Sequence, residues 1–167
     1  AGNTSAAGSA VSLVVDTAQP SAPTVAVTSP TNDNTPAITG TAEASSMVEL
    51  YAGGQALGQA AVDGNGSYSF IPGAALADAS YSVTATATDE AGNTSAASSG
   101  VTVLVDTAAP TAPTLSGTIS ANTSTPQLTG TAEASATVNV YDGDTSLGQA
   151  SAGGDGTYTV TVSALSD

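Results

Sequence analysis

Carboxylates are the only abundant side chains in this chain whose chemistry could serve a functional site. The 167 residues include fourteen Asp and Glu, and no Lys, Arg, His or Cys. Without these four residue types, no nucleophile can be paired with a base as in Ser–His, Cys–His or Ser–Lys enzymes. Paired carboxylates would suffice for glycoside hydrolysis, but one Phe and five Tyr are too few to line a sugar-binding cleft. The composition therefore predicts that the protein is not an enzyme.

The strongly negative charge also restricts the partners of the chain. Its formal net charge is −14 at pH 7, and no side chain can neutralise a phosphate group. Nucleic acid is therefore disfavoured as a partner, and direct membrane insertion is not expected because no apolar run reaches about 18 residues. Neighbouring carboxylates repel one another unless a cation lies between them, and Ca²⁺ prefers oxygen ligands. The composition thus favours bound cations.

The chain repeats itself with a period of about 90 residues. The segment Ala-Gly-Asn-Thr-Ser at 1–5 returns at 91–95, for example. Such self-similarity is typical of proteins in which one unit is stacked many times and contacts its neighbours. We therefore predict a window of a longer tandem array, with neighbouring repeats of the same chain as partners. Residues 1–15 would be the last strand of a preceding repeat, 16–106 a complete repeat, and 107–167 a repeat without its last two strands.

Short alternating segments separated by turn residues predict an all-β fold. We expect the complete repeat to form a seven-stranded Ig-like Greek-key β-sandwich, and the chain to be a linear array of such sandwiches. Gly53-Gly54 is predicted to form a two-residue hairpin turn, and Tyr81 a tyrosine corner, in which the hydroxyl bonds back to the preceding loop. The predicted strands A to G are residues 24–28, 37–41, 47–52, 55–62, 67–71, 80–88 and 100–105.

This topology gathers acidic loops at one end of the sandwich. The B–C, D–E and F–G loops lie at the same end as the N-terminal linker, and glycines in these loops let backbone carbonyls turn toward a cation. We therefore predict a Ca²⁺ site at each domain junction. The alternative is that these residues are solvated loop acids, since their spacing matches no EF-hand loop. The candidate ligands are Asp16, Glu43, Asp89, Glu90, Asp63 and Asn93, with Asp106 and Glu133 as counterparts at the next junction.

Four segments together make the chain resemble the bacterial Ig-like repeats of giant surface adhesins that type I systems secrete. In that family the repeats are extenders that hold an adhesive tip away from the cell, and several members bind calcium between successive domains. The resemblance implies an extracellular stalk on the bacterial cell surface, made rigid by Ca²⁺. The segments are Val-Asp-Thr-Ala-x-Pro-x-Ala-Pro-Thr at 15–24, Thr-Pro-x-Ile-Thr-Gly-Thr-Ala-Glu-Ala at 35–44, Asp-Gly-Asn-Gly-Ser-Tyr at 63–68 and Thr-Asp-Glu-Ala-Gly-Asn-Thr-Ser at 88–95.

Three other functions stay open at the level of sequence. Residues 1–15 of one molecule could complete the open repeat of another and build a fibre by strand complementation, although strand F would still be missing. A sheath or surface-layer subunit would depend on lateral contacts rather than on length. A carbohydrate-binding module is the weakest alternative, because neither repeat has an insertion that the other lacks.

Overall fold

All regular secondary structure in the described part of the chain is β-strand. The computed structural model describes residues 1–5, 7–9, 11–116 and 125–162. Within these ranges there are eleven strands, and no helix is long and apolar enough to cross a membrane. The chain divides into two units, Ala1–Ala108 and Ala109–Asp167.

Unit 1 is a sandwich of two antiparallel sheets. One sheet has the strand order β3-β2-β5-β6, and the other pairs β1 with β4. This is the all-β Ig-like architecture that the sequence predicts, and the predicted strands B to G agree with β1 to β6 to within one residue at each end. The strands are β1 (Ile38–Thr41), β2 (Met47–Ala52), β3 (Gln55–Ala61), β4 (Ser67–Phe70), β5 (Ala79–Thr88) and β6 (Val101–Val105).

Predicted strand A is reduced to a single bridge. Within residues 24–28, only Ala26 forms a β-bridge, and its partner is Thr39 of β1. The chain then crosses to the other sheet, where Thr31 forms a parallel bridge with Val105 of β6. The ladder of strand A is short because this segment is divided between the two sheets.

Alternation along each strand places one face in the core. On β5, Val83, Ala85 and Ala87 are fully buried, while the threonines between them are only partly covered and lie on the outer face. Burial of such apolar side chains is the main favourable contribution to folding. The core of unit 1 is completed mainly by Ile38, Val48, Leu50, Tyr68, Val103 and Val105.

Two predicted local features of unit 1 are confirmed. Gly53 and Gly54 have φ angles of 56° and 82°, which are the positive values that a type I′ hairpin turn requires. The Tyr81 hydroxyl donates a hydrogen bond to the Ala77 carbonyl at 3.1 Å, which is the tyrosine corner.

Unit 2 repeats the first part of this arrangement. One of its sheets has the order β11-β8-β7, and the other pairs β10 with β9. Its apolar core includes Val138, Val140, Tyr158 and Val160. The strands are β7 (Thr114–Leu115), β8 (Gln127–Thr131), β9 (Thr137–Asp142), β10 (Thr145–Ser151) and β11 (Thr157–Thr161).

The repeat predicts a strand at 1–15, but the described residues of this segment form no strand in unit 1. These residues have no strand pairing, and Val11, Leu13 and Val15 are 91%, 86% and 79% exposed. Their counterparts in β6 pack against the core because β6 is paired with β5. The segment at 11–15 has the same alternation but no such neighbour, so its apolar side chains stay exposed. Its assignment to a preceding repeat stays a prediction.

Candidate functional site

Strand register places three turns at one end of unit 1. Thr41 pairs with Ser67, and Met47 pairs with both Ala61 and Thr88. The turns next to these residues, at 42–46, 62–66 and 89–93, therefore lie together. The linker, residues 16–23, also arrives here, because the N–H of Thr24, which follows it, donates to the Thr41 carbonyl at 2.8 Å. We call this the proximal end of unit 1, and the opposite end the distal end.

Four of the predicted ligands line one groove at the proximal end. Asp16, Glu43, Asp89 and Glu90 border an open cavity of about 530 Å³. All the charged side chains of the groove carry the same sign, and the chain has no basic side chain to neutralise them. The structure thus brings together residues that lie up to 74 positions apart in the sequence, counting from Asp16 to Glu90. The rest of the lining is Val14, Ala44, Ser45 and Ala91.

The carboxylates do not form a ready-made coordination sphere. Among the residues that the structure describes, no three acidic side chains are close enough together to hold one metal ion. The donor set nevertheless suits Ca²⁺, because every polar side chain lining the groove offers oxygen. A cation would have to draw the loops inward in order to bind several carboxylates at once.

Asn93 connects the F–G turn, which is the turn at 89–93, to the linker. Its backbone N–H donates to Asp89 Oδ1 at 2.8 Å, and its Nδ2 donates to Asp89 Oδ2 at 2.9 Å. The same Nδ2 donates to the Asp16 carbonyl oxygen at 3.2 Å. The sequence predicted Asn93 as an oxygen ligand, whereas the structure uses its amide as a donor.

These hydrogen bonds lower the pKa of Asp89. The Asn93 side-chain amide contributes most, a smaller opposing effect comes from desolvation, and the backbone N–H groups of Asn93, Ala91 and Gly92 lower the pKa further. Donors that point at a carboxylate favour its ionised form. Asp89 is therefore held negative in the turn that borders the groove.

Unit 1 is expected to lose stability in acid through Asp89. Because the folded-state pKa lies below the unfolded value, the contribution is complete above about pH 4 and disappears as the pH falls through the folded value. Asp89→Asn should therefore destabilise unit 1 at pH 6, and its difference from the wild type should shrink toward pH 2. Urea unfolding at several pH values measures this. Glu90→Gln is the matched control, and an equal pH dependence of the two differences would contradict the assignment.

Asp63 does not line the groove. Its Oδ1 accepts the backbone N–H groups of Asn65 at 2.9 Å and Ser67 at 2.8 Å, so the carboxylate closes its own turn. The sequence correctly located Asp63 in the loop at 62–66, but it did not reveal that this carboxylate serves the backbone.

The two linker aspartates adopt the same local structure. Asp16 Oδ1 accepts the Ala18 N–H at 2.9 Å, and Asp106 Oδ1 accepts the Ala108 N–H at 3.1 Å. Both are Asx turns, which fix the direction of the following proline-containing segment. Asp106 belongs to unit 1 and Glu133 to unit 2, and Glu133 lies in the turn between β8 and β9.

The turn that carries Glu43 has a strained backbone. Ser45 has a φ of 66°, in the left-handed region that side chains other than glycine disfavour. Ser46 stabilises the turn with two hydrogen bonds to the Glu43 carbonyl oxygen. Its hydroxyl donates at 2.6 Å and its backbone N–H donates at 3.2 Å. Ser135 has the same conformation in unit 2, with a φ of 67°. No sequence signal identified this serine.

Replacing Ser45 with glycine is expected to stabilise unit 1 by about 0.5–1 kcal/mol, because glycine adopts positive φ without steric cost. Chemical denaturation of unit 1 measures the change in the free energy of unfolding. Ser45→Ala is the control, since it removes the hydroxyl and keeps the strain. Equal stabilities for the glycine and alanine variants would refute the strain.

The two-sheet architecture defines an Ig-like β-sandwich module, and comparison with protein families identifies the family to which it belongs. Residues 22–107 match the family model of the bacterial Ig-like domain, and residues 109–167 match that of the bacterial Ig domain. The chain belongs to the bacterial Ig-like domain family. The family predicted from the motif residues is thus confirmed.

The chain is also similar to two solved structures. The chain is similar to a tetra-tandem repeat in the extending region of a large adhesion protein, with 22% identity and a TM-score of 0.42; the match covers 89% of this chain and 41% of that one. It is also similar to the fibronectin(III)-like modules of Clostridium thermocellum CbhA, with 19% identity, a TM-score of 0.50, and coverage of 84% and 80%. A comparison with curated proteins found no match.

Proposed function

We propose that this chain is part of the stalk of a large adhesin on the bacterial cell surface, where Ca²⁺ bound at the proximal end of each unit makes the linker rigid. One observation carries this proposal: the linker residue Asp16 borders the same groove as Glu43, Asp89 and Glu90. Membership of the bacterial Ig-like family and the two units in series agree with a spacer.

The charge of the groove supports a cation as its ligand. Four carboxylates with no basic neighbour repel one another, and this repulsion opposes the contact between the linker and the F–G turn. A divalent cation would reverse the sign of this interaction and draw linker and turn together. Without it, the Asn93 amide supplies the only described hydrogen bond between Asp16 and the F–G turn.

The linker is suited to being stiffened at this point. Pro20 and Pro23 restrict it to extended conformations, and the Asx turn of Asp16 sets its starting direction. A single ion that held Asp16 to the body of unit 1 would therefore remove most of the remaining freedom. On sequence grounds alone, Asp106 and Glu133 extend the proposal to the next repeat.

Small-angle scattering tests the mechanical part of the proposal. In millimolar Ca²⁺, the full chain is expected to have a larger maximum dimension and a narrower distribution of distances than it has in chelator. Mg²⁺ at equal ionic strength is the control for charge screening. Identical scattering with Ca²⁺ and with chelator would rule out calcium-dependent rigidity.

A self-assembling fibre is the second candidate, and the exposed segment at 11–15 favours it. Its apolar side chains repeat the pattern of β6, which pairs with β5 in unit 1. A strand with this pattern suits strand complementation between molecules. Size-exclusion chromatography over a range of concentrations distinguishes the two: growth into polymers would support the fibre, and a constant monomer the spacer.

A further inference from the structure

Three hydrogen bonds join the first and last segments of unit 1 near its distal end. The Thr31 N–H donates to the Leu104 carbonyl at 2.9 Å, and the Asp106 N–H donates to the Thr31 carbonyl at 3.0 Å. The Leu104 N–H also donates to the Ser29 hydroxyl oxygen at 3.0 Å. We call these four residues the terminal clamp. The bridge at its centre is parallel, so both segments run in the same direction.

The clamp lies where tension from the two chain ends meets. The linker arrives at the proximal end, whereas Val105 pairs with Ala79 at the start of β5, so β6 ends at the distal end. A pull on the two ends therefore draws the parallel segments past each other along their common axis. All three hydrogen bonds are then loaded together in shear. In a peeling geometry, by contrast, they would break one after another.

No other hydrogen bond among the described residues joins the two segments. Closer to the proximal end, the chain around Val25 and the start of β6 at Val101 are separated by a cavity of about 230 Å³. The earlier residues Thr24 and Ala26 bond only to β1 in their backbone ladder, and β1 pairs with β4 rather than with β6. Among the described residues, the hydrogen bonds between the first and last segments are thus confined to the clamp.

We infer that the terminal clamp is the force-bearing element of unit 1, which keeps the unit folded when the chain is stretched. This inference rests on the proposed function, because a stalk carries tension along its length. It assigns a mechanical role to Ser29, which is exposed, and to Thr31, which is half-buried.

Single-molecule stretching of the full chain at constant force tests the clamp. The chain has no Cys, so one cysteine added at each terminus gives specific attachment. Unfolding of unit 1 is recognised by a length gain of roughly 280 Å, from roughly 80 residues released at about 3.6 Å each. All measurements are made in chelator, so that a failure of the calcium proposal cannot affect them.

Ser29→Ala removes one of the three bonds and is expected to raise the unfolding rate under load about fivefold. Thr31→Pro removes the Thr31 N–H and is expected to raise it at least about tenfold. Tyr81→Phe is the matched control, because it removes a hydroxyl hydrogen bond of 3.1 Å outside the load path. Its rate under load should change less than about twofold.

Equilibrium denaturation of the same variants separates mechanical from general effects. A larger rate increase for Ser29→Ala than for Tyr81→Phe, at similar losses of equilibrium stability, supports the clamp. Equal increases in the unfolding rate for the two variants, or an unchanged rate for Ser29→Ala, overturn the proposed role of the clamp. The conservative Ser29→Ala decides the question by itself if Thr31→Pro does not fold.

Discussion

Replacement of Gly40 by alanine is expected to lower the free energy of unfolding of unit 1 by about 3 kcal/mol. A Cβ at this position would overlap the Thr24 carbonyl oxygen and lie 2.6 Å from the Tyr68 hydroxyl oxygen. These two atoms form a hydrogen bond of 2.6 Å that holds the first segment of unit 1 against β1 and β4. The atoms that a Cβ would meet belong to the Thr24 backbone and to the buried Tyr68 side chain. A small side-chain movement therefore cannot relieve the clash.

Urea denaturation of the full chain measures this effect, with Gly64→Ala as the control. No atom lies within 4 Å of a Cβ built on Gly64, so that variant should differ from wild type by less than about 0.5 kcal/mol. The second repeat offers an independent pair, Gly130→Ala and Gly154→Ala, since a Cβ on Gly130 would meet Thr114 and Tyr158 in the same way. Similar stabilities for Gly40→Ala and Gly64→Ala would show that this packing is not essential.

Calcium is expected to stabilise unit 1 by roughly 2.7 kcal/mol at a concentration of about 100 times the dissociation constant. For a domain of this size, such a change raises the melting temperature by roughly 10–20 °C. The physical reason is that the ion binds the folded groove, whereas the unfolded chain does not hold its carboxylates together. The combined variant Asp16→Asn, Glu43→Gln and Asp89→Asn should lose this response.

A second triple variant controls for net charge. Asp33→Asn, Glu49→Gln and Asp78→Asn remove the same charge from unit 1 at positions outside the groove. This variant should keep the full response to calcium in calorimetric titration and in thermal unfolding. Equal responses of the two triple variants, or no heat of binding to the wild type, would disprove a calcium site in the groove.

The strands of unit 1 were predictable because their pattern is local. On β5, apolar and hydroxyl residues alternate without exception from Val83 to Thr88, so the buried face is determined before any partner is known. The turn at Gly53-Gly54 was predictable for the same reason, since two glycines permit the positive φ angles of the tightest hairpin. Neither feature depends on contacts with distant residues.

Strand A shows where local pattern was insufficient. Residues 24–28 have the same alternation as the other strands, yet the chain leaves β1 after Ala26 and joins β6 at Thr31. That change of sheet depends on where β6 ends, and β6 lies more than 70 residues later in the chain. The terminal clamp was invisible in the sequence for this reason.

The sequence by itself determined the all-β fold, the repeat and the grouping of acidic loops at one end, because these follow from alternation, from self-similarity and from the sandwich topology that the alternation predicts. Tertiary structure decided the role of each acid. It turned Asp63 toward its own backbone, made Asn93 a donor to Asp89 and the linker, and left four carboxylates around one groove. These roles depend on hydrogen-bond directions between loops that are distant in sequence, and spacing along a chain does not specify such directions.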